Sequence, residues 1–315
     1  MLNFERLRAL HAVSAHGSIN AAAHALHVTT SAVSQQLAKL EREVERPLLE
    51  KNGRGVRLTD TAKVLVSHTH QALSVLEQAE AALDAQRETV GGEITITAFA
   101  TAARGLAPFA IRELHSRYPQ LHVVFHEQEP TDVMPLLLRR DVDLALEGDW
   151  LNAPLALPEG LSKATLMDDV ADVVLPPGHR FSRAKVVKLD DLGDEQWVCW
   201  NRGSICHDWL LQTLRLLGHD PHIAHTAEEH ATQLALVAAG LGAAVIPRLG
   251  RGPLPKGVAA VPSEPALRRR IYAVWRTDAT RRSAIRAAVE AFQMAARAIA
   301  PRRKAATDRT SLHKR

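Results

Sequence analysis

Two short amphipathic segments, 18–26 and 31–43, lie a few residues apart near the start of the chain. Ala22, Ala23 and Leu26 form an apolar stripe at helical spacing on the first, and Val33, Leu37 and Leu40 form one on the second. Ser18 can cap the first helix and Thr29 or Thr30 the second, each side chain accepting an amide hydrogen. The small residues of the first stripe let the two helices cross closely, as a helix-turn-helix requires. Pro47 ends the helical run, and 51–59 reads as a hairpin, with Gly53 and Gly55 supplying the freedom of a tight turn. From Thr59 a long helix is predicted to about residue 88, unbroken by Gly or Pro. Some 30 residues of helix make a rod of ~45 Å. Thr69, Leu76 and Leu83 sit seven apart, with Leu65 or Val66, Ala72 or Leu73, and Ala79 filling the second seam position of a short coiled coil. A rod that outreaches a small domain needs a partner, so a homodimer is expected.

After Gly91 and Gly92 the pattern changes to alternating strands and helices. Strands are predicted at 94–99, 123–126 and 143–146, and helices at 106–118 (stopped by Pro119) and 132–140. A second set follows: strands at 170–175, 197–200, 223–225 and 243–246, with helices at 209–217 and 231–239. The strand 270–275 and the helix 281–299 return to the first set. This alternation predicts a mostly parallel α/β sheet folded as two lobes joined by two crossings, with a ligand cleft between them.

The second helix of the pair turns short hydroxyls, an amide and a cation away from its apolar stripe. Ser31, Ser34, Gln35 and Lys39 suit base edges and phosphates. The capping pair Thr29 and Thr30, and Gln36, belong to the same candidate DNA-contact set. Arg54 at the hairpin tip and Arg57 on its strand can reach a phosphate or the minor groove as a wing. An isolated arginine would be read as a solvated charge; two helices at this spacing followed by a hairpin make the case.

These residues resemble the LysR-type transcriptional regulators. The matching positions are Gly17, Ser18, Ala22, Ala23, Ser31 to Leu37, Leu40, Glu41, Pro47, Leu48 and Arg54 to Thr59, within a resemblance running from Phe4 to about Arg297. The chain departs from the pattern at Ala21 and Lys51 (usually Arg), Glu45, Ala62 and Arg140 (usually Gly) and Leu49 (usually Phe). The resemblance implies an α/β protein with an N-terminal winged helix-turn-helix, a long linker helix and a two-lobed periplasmic-binding-protein-like effector domain. The expected divisions are 1–59 for DNA binding and 60–89 for the dimerising linker. The effector domain covers 90–300, with lobe 1 at about 91–163 and 266–300 and lobe 2 at about 164–265. A basic disordered tail, 301–315, closes the chain. It further implies promoter DNA as partner, dimers assembling to tetramers, and a small-molecule effector, with an anionic group expected. Thr101 falls where the family often places Ser or Thr against a ligand carboxylate, with Ala102 following. Pro130 stands where a hydroxyl donor can occur, and proline cannot donate. Asn201, Arg202 and Ser204 form the expected opposing wall, with Thr226 and Ala227 beside it.

Composition changes this picture little. At 315 residues and 46% hydrophobic content the chain can build several cores, and no stretch reaches the ~18–20 apolar residues of a membrane span. The start lacks a secretory pattern, so a cytoplasmic protein is expected. The net charge of +4 is carried by 301–315, where six basic residues face one acid for +5, leaving −1 on the rest. The DNA-binding case therefore rests on the helices and not on the pI. Cys206 lies near where peroxide-sensing family members carry a reactive cysteine, but no second cysteine follows it; Cys199 reads as a buried strand residue. The His and Cys spacings fit no zinc pattern, and no cofactor is expected. There is no Walker loop, no Gly-x-Ser-x-Gly elbow and no His-Glu-x-x-His, so an enzyme is not expected. The run 237–242 imitates a dinucleotide fingerprint but precedes a strand, which makes it a helix-to-strand turn. Two alternatives stand beside the effector-gated regulator: a nucleoid-like DNA binder without an effector, and a cysteine-based redox sensor.

Overall fold

The computed structural model describes residues 2–52, 55–85, 89–130 and 133–299; Arg54 and the tail 301–315 lie outside them. Three helices open the chain: α1 (Phe4–His16), α2 (Ile19–Ala25) and α3 (Thr30–Val44). Asn3, Ser18 and Thr29 cap them in turn, each side-chain oxygen accepting the amide three residues on. Leu10, Val13, Ala22, Ala23, Val33, Leu37 and Leu40 close a small core with Leu48 and Ala62. The first of these helices carries a weaker apolar pattern and is not among the predicted elements. The wing is β1 (Leu49–Asn52) paired antiparallel with β2 (Gly55–Leu58). Glu41 ties it to α3, its carboxylate accepting the amides of Leu48 (2.8 Å) and Leu49 (3.4 Å). Glu45, where a glycine is the usual residue, ends α3 in the left-handed region (φ 52°), a geometry that costs a β-carbon-bearing residue ~1–2 kcal/mol.

Helix α4 (Asp60–Ala85) starts at Thr59, whose hydroxyl accepts the Ala62 amide and donates to Pro47 O. Its 26 residues make a rod of about 39 Å. Thr69 does not lie on an open seam: it is buried within its own chain, where α4 packs on α1 and on the 3-10 turn Thr277–Arg281. Leu76 and Leu83 are exposed, together with Val64 and Val75. Arg139 Nη1 donates to Ala15 O (3.3 Å) and His16 lies 3.6 Å from Asp141, so the end of α1 also touches the α/β part directly.

That part begins with β3 (Gly92–Ala98), α5 (Ala100–Gly105), α6 (Ala107–Arg117), β4 (Leu121–Glu127), α7 (Val133–Arg139) and β5 (Leu144–Trp150). It continues through β6 (Leu161–Leu175), β7 (Val187–Lys188), β8 (Gln196–Cys199), α8 (Ile205–Leu216), β9 (His222–Thr226), α9 (His230–Ala238) and β10 (Ala244–Pro247). β11 (Ala259–Val261), β12 (Ser263–Glu264), β13 (Leu267–Arg276) and α10 (Ser283–Ile299) complete it. The main sheet runs β10-β6-β13-β5-β3-β4, with β11 also on β6. It is mixed, contrary to the mostly parallel expectation: β4, β3 and β5 are parallel, whereas β13 is antiparallel to both β5 and β6. The cause is that β6 and β13 are the two crossings. They pair antiparallel from Leu161 opposite Arg276 to Ala171 opposite Leu267, with one register shift between Ile271 and Tyr272.

Each lobe has its own core. In lobe 1, Ile94, Ile96, Leu106, Leu114, Leu144, Leu146, Ile271, Trp275 and Phe292 pack the sheet against α6 and α10. In lobe 2, Val173, Leu189, Trp197, Trp209, Leu210 and Val245 pack around α8. Gly242 (φ 148°) makes the turn from α9 to β10, where a β-carbon would lie 2.7 Å from Gln196 O. Arg140 is a second left-handed residue at a usual glycine position (φ 70°), and its guanidinium reaches Asp278 at 3.0 Å.

Candidate nucleic-acid interface and effector cleft

On α3 Val33, Leu37 and Leu40 turn inward, and Ser31, Ser34, Gln35 and Lys39 are exposed. Thr29 and Thr30 are exposed at its N-terminal end. Thr29 caps the helix, and its hydroxyl lies 2.9 Å from that of Ser31. Gln36 sits apart from this group: it is half-buried in the groove between α3 and α1, beside Glu5 and Arg8. Arg57 is exposed on β2. The helix thus offers hydroxyl, amide and ammonium groups along one solvent face, fixed by an apolar face behind.

A cavity lies between the lobes. Counted with the part open to solvent it is about 510 Å³. Phe99, Trp150 and Trp200 give it flat walls, Gly148 and Ile205 fill between them, and Glu129, Pro130 and Cys206 stand at its sides. Trp150 is held by stacking on Trp209 (3.6 Å between centroids, 11°), whose indole N–H donates to Asn152 at 2.7 Å. Trp200 meets His230 edge-on at 4.9 Å.

Of the sequence-predicted effector residues, Thr101 and Pro130 line this cavity, and Asn201, Arg202 and Ser204 line the adjoining pocket of about 670 Å³. Asn201 donates to Glu228 at 2.7 Å, Ser204 caps α8 by accepting from His207 N, and Arg202 is exposed on the outer rim. Ala102 does not reach the cleft: it is fully buried in the lobe 1 core, because one step along α5 turns its side chain by about 100° away from that of Thr101. Thr226 and Ala227 line neither pocket. Ala227 is engaged in the backbone instead, donating to Cys199 O and accepting from the Gln233 amide.

The residue that organises the cavity, Arg269, was not among those candidates. It is 6% exposed on β13, and it donates to Asp169 Oδ2 from Nε (2.9 Å) and Nη2 (2.8 Å) and from Nη2 to Thr101 Oγ1 (2.7 Å). Its guanidinium lies 5.3 Å from the centre of the Phe99 ring and 5.9 Å from that of Trp150. Asp169 is in turn held by the amides of Val170 and Leu249. The signal in the sequence was strand alternation. Arg268, Arg269 and Arg270 run together, and only the middle one shares the inward parity of Leu267 and Ile271.

Burial sets the charge states around the cavity. His230 is pushed down to about 3 by burial, with Arg104 and Arg269 adding to it, so its imidazole is neutral; Nδ1 faces the Arg104 donor at 3.3 Å. Glu147, fully enclosed on β5, is pushed up to about 8 by burial and then by Glu129. Glu129 is itself shifted up by burial first, then by Glu228 and Glu127. The Cys206 thiol is pushed up to about 11 by burial, although Arg269 and Trp150 pull the other way, and Cys199 goes to about 12. Neither is a thiolate at neutral pH, which is what nucleophilic or oxidant chemistry requires. Among the described residues no group of three or more His, Cys, Asp or Glu is placed to hold a metal ion, and no helix is long and apolar enough to cross a membrane.

Comparisons with known proteins agree with this architecture. Residues 4–63 match the family described as bacterial regulatory helix-turn-helix protein, lysR family, and residues 87–297 match the LysR substrate binding domain. The chain is similar to the transcriptional dual regulator GltC of Bacillus subtilis, with 26% identity over 220 residues, 69% of this chain and 71% of that one. It is similar to a probable RuBisCO transcriptional regulator of Cyanophora paradoxa, with 27% identity over 247 residues covering 78% and 76%. A full-length OxyR variant from Pseudomonas aeruginosa shares its fold, with a TM-score of 0.71 at 21% identity, over 93% of this chain and 95% of that one. With a helix-turn-helix and a wing at one end, a long helix after them, and a two-lobed cleft for the remainder, the chain belongs to the LysR family of bacterial transcriptional regulators.

Proposed function

We propose that this regulator binds promoter DNA through α3 and its wing and that a small molecule held between its lobes controls the outcome. The observation that carries the reading is the pairing, in one chain, of an exposed polar face on α3 with a cavity walled by aromatic rings around a buried arginine. In this reading 1–59 bind DNA, 60–89 join two copies through the exposed apolar residues of α4, and 90–300 hold the effector. Thr29, Thr30, Ser31, Ser34, Gln35 and Lys39 contact the major groove, with Arg54 and Arg57 on the flanking backbone. A dimer, or a tetramer of two dimers, sets recognition helices into successive major grooves. Ligand binding shifts the balance between lobe arrangements, and with it the DNA bend the assembly favours.

The test is to incubate the purified protein with sheared genomic DNA at physiological salt, with and without a small-molecule extract, and to sequence what it retains. The expected result is a small number of sharp, dyad-symmetric sites whose occupancy changes with the extract. Diffuse retention lost with salt or with deletion of 301–315 would replace this reading by a non-specific, tail-driven binder. Sharp sites indifferent to every extract would remove the effector and leave the DNA reader.

A further inference from the structure

Arg269 is an unusual floor for a ligand cavity, because its charge is already matched. Nε and Nη2 are taken by Asp169 and Thr101, and the other terminal nitrogen, Nη1, has no partner among the described residues. Nη1 is not sealed in protein, although the side chain as a whole is more than nine-tenths buried and lines the cavity. Thr101 accepts from Arg269, which leaves the hydroxyl proton of Thr101 to donate. The floor therefore presents two kinds of donor for one oxygen acceptor, on a site whose arginine and aspartate together are neutral. It recognises a carbonyl or carboxylate without needing a net negative ligand.

The mouth has the opposite character. Glu129 lines both the main cavity and the adjoining pocket, and Glu228 faces it from the other lobe. Around the neighbouring groove Glu127 and Glu229 join them, against Arg104 and Arg251. Arg104 is turned to Gly250 O and His230, and Arg251 to Asp172, so neither neutralises Glu129; Arg202 also lines the adjoining pocket but is exposed and makes no ion pair with Glu129 or Glu228 among the described residues. The repulsion between Glu129, Glu228 and Glu127 is relieved by a positive charge placed among them. Between floor and mouth run the flat faces of Phe99, Trp150 and Trp200, which take a planar apolar body and attract a cation at its edge.

We infer that the effector is a zwitterion: a planar, apolar body whose carboxylate or carbonyl end binds Arg269 Nη1 and Thr101, and whose protonated amine binds Glu129 and Glu228. The expected anionic group is kept at the floor, and a positive group is added for the acidic mouth. The inference rests on the effector reading above and names the ligand class for that same cleft.

The test uses the full-length protein and three matched probes in calorimetric titrations: para-toluate (acid only), para-methylbenzylamine (amine only) and para-(aminomethyl)benzoate (both). The probe with both groups should bind about tenfold or more tightly than either single-group probe, the factor expected of one charge-assisted hydrogen bond. Glu129→Gln should erase its advantage over para-toluate, and Glu228→Gln should reduce it. Glu129 stands at the edge of the cavity and makes no hydrogen bond within the described chain, so neither its loss of charge nor its new amide removes a bond of the fold. The class is overturned if para-toluate binds as tightly as the probe with both groups, if Glu129→Gln leaves their ratio unchanged, or if none of the three binds. The effector reading itself is judged by the genomic retention experiment, which uses no assumed ligand class, so the two can fail separately.

Discussion

The exposed polar face of α3 and the floor of the cleft handle polar side chains in opposite ways. Ser34, Gln35 and Lys39 make no side-chain hydrogen bond or ion pair among the described residues and stand in solvent. Thr101, Asp169 and Arg269 are all but sealed from solvent and bonded to one another across 100 and 168 residues of sequence. A DNA reader gains by keeping its donors and acceptors unpaired, since water satisfies them until a base edge does. A buried site cannot leave them so, because an unpaired polar group out of water costs roughly 1–3 kcal/mol. Mutations on the first surface should therefore change binding and spare the fold, and mutations on the second should strike the fold first.

The largest expected effect is at Arg269. Arg269→Met leaves the Asp169 carboxylate enclosed without its cation, and losing one partner of a buried pair costs about 3–5 kcal/mol. Urea unfolding should show that loss; a change below about 1 kcal/mol would erase the contrast between the two regions. Glu147 sharpens the contrast through pH. Its carboxyl stands near 4.5 in the unfolded chain and at about 8 when folded, with burial the main cause. The folded state then holds a proton that the unfolded chain releases, so this group's stability is fully present below about pH 4.5. It is lost steadily as the pH rises towards 8, where the loss levels off. Glu147→Gln cannot titrate, and its stability relative to the parent should rise by a few kcal/mol across that window. A pH-independent difference would mean that Glu147 ionises freely.

The smallest stability effect is expected on the reader. Gln35→Ala should leave the urea midpoint where it was and cost ~1–3 kcal/mol of specific DNA binding if Gln35 reads a base. An unchanged ratio of site to random-DNA affinity, from competition binding, would take Gln35 out of that role.

The same contrast decides what the sequence makes legible. The reader is local: caps, apolar spacing and turn residues all lie within about 45 positions, and α2, α3 and the hairpin are read directly from them. The rod is also legible in its extent, but the partner of each face is not, because α4 packs on α1 and on a turn more than 200 positions further along the chain. In the α/β part the strands with continuous apolar runs are recognisable. The first half of β6 is not, since Ser162, Lys163, Thr165 and Asp168 interrupt its apolar residues, most of which are only partly buried, and the crossing geometry that makes the sheet mixed has no local signature. Thr101, Pro130, Asn201, Arg202 and Ser204 were accessible through family resemblance. Arg269 was hidden in a run of like charges, and Ala102 misled because adjacency in sequence is not adjacency on a helix face.

That run of three arginines has a meaning for alignment. Sliding β13 by one residue along β6 would still bring an arginine to the inward position, either Arg268 or Arg270 in place of Arg269. The triplet therefore carries the chemistry of the cavity floor but almost no information about its own placement. That information resides in Leu267 and Ile271 on either side, which a one-residue slip would turn out of the lobe cores together. The ionic floor is aimed by the apolar residues that bracket it.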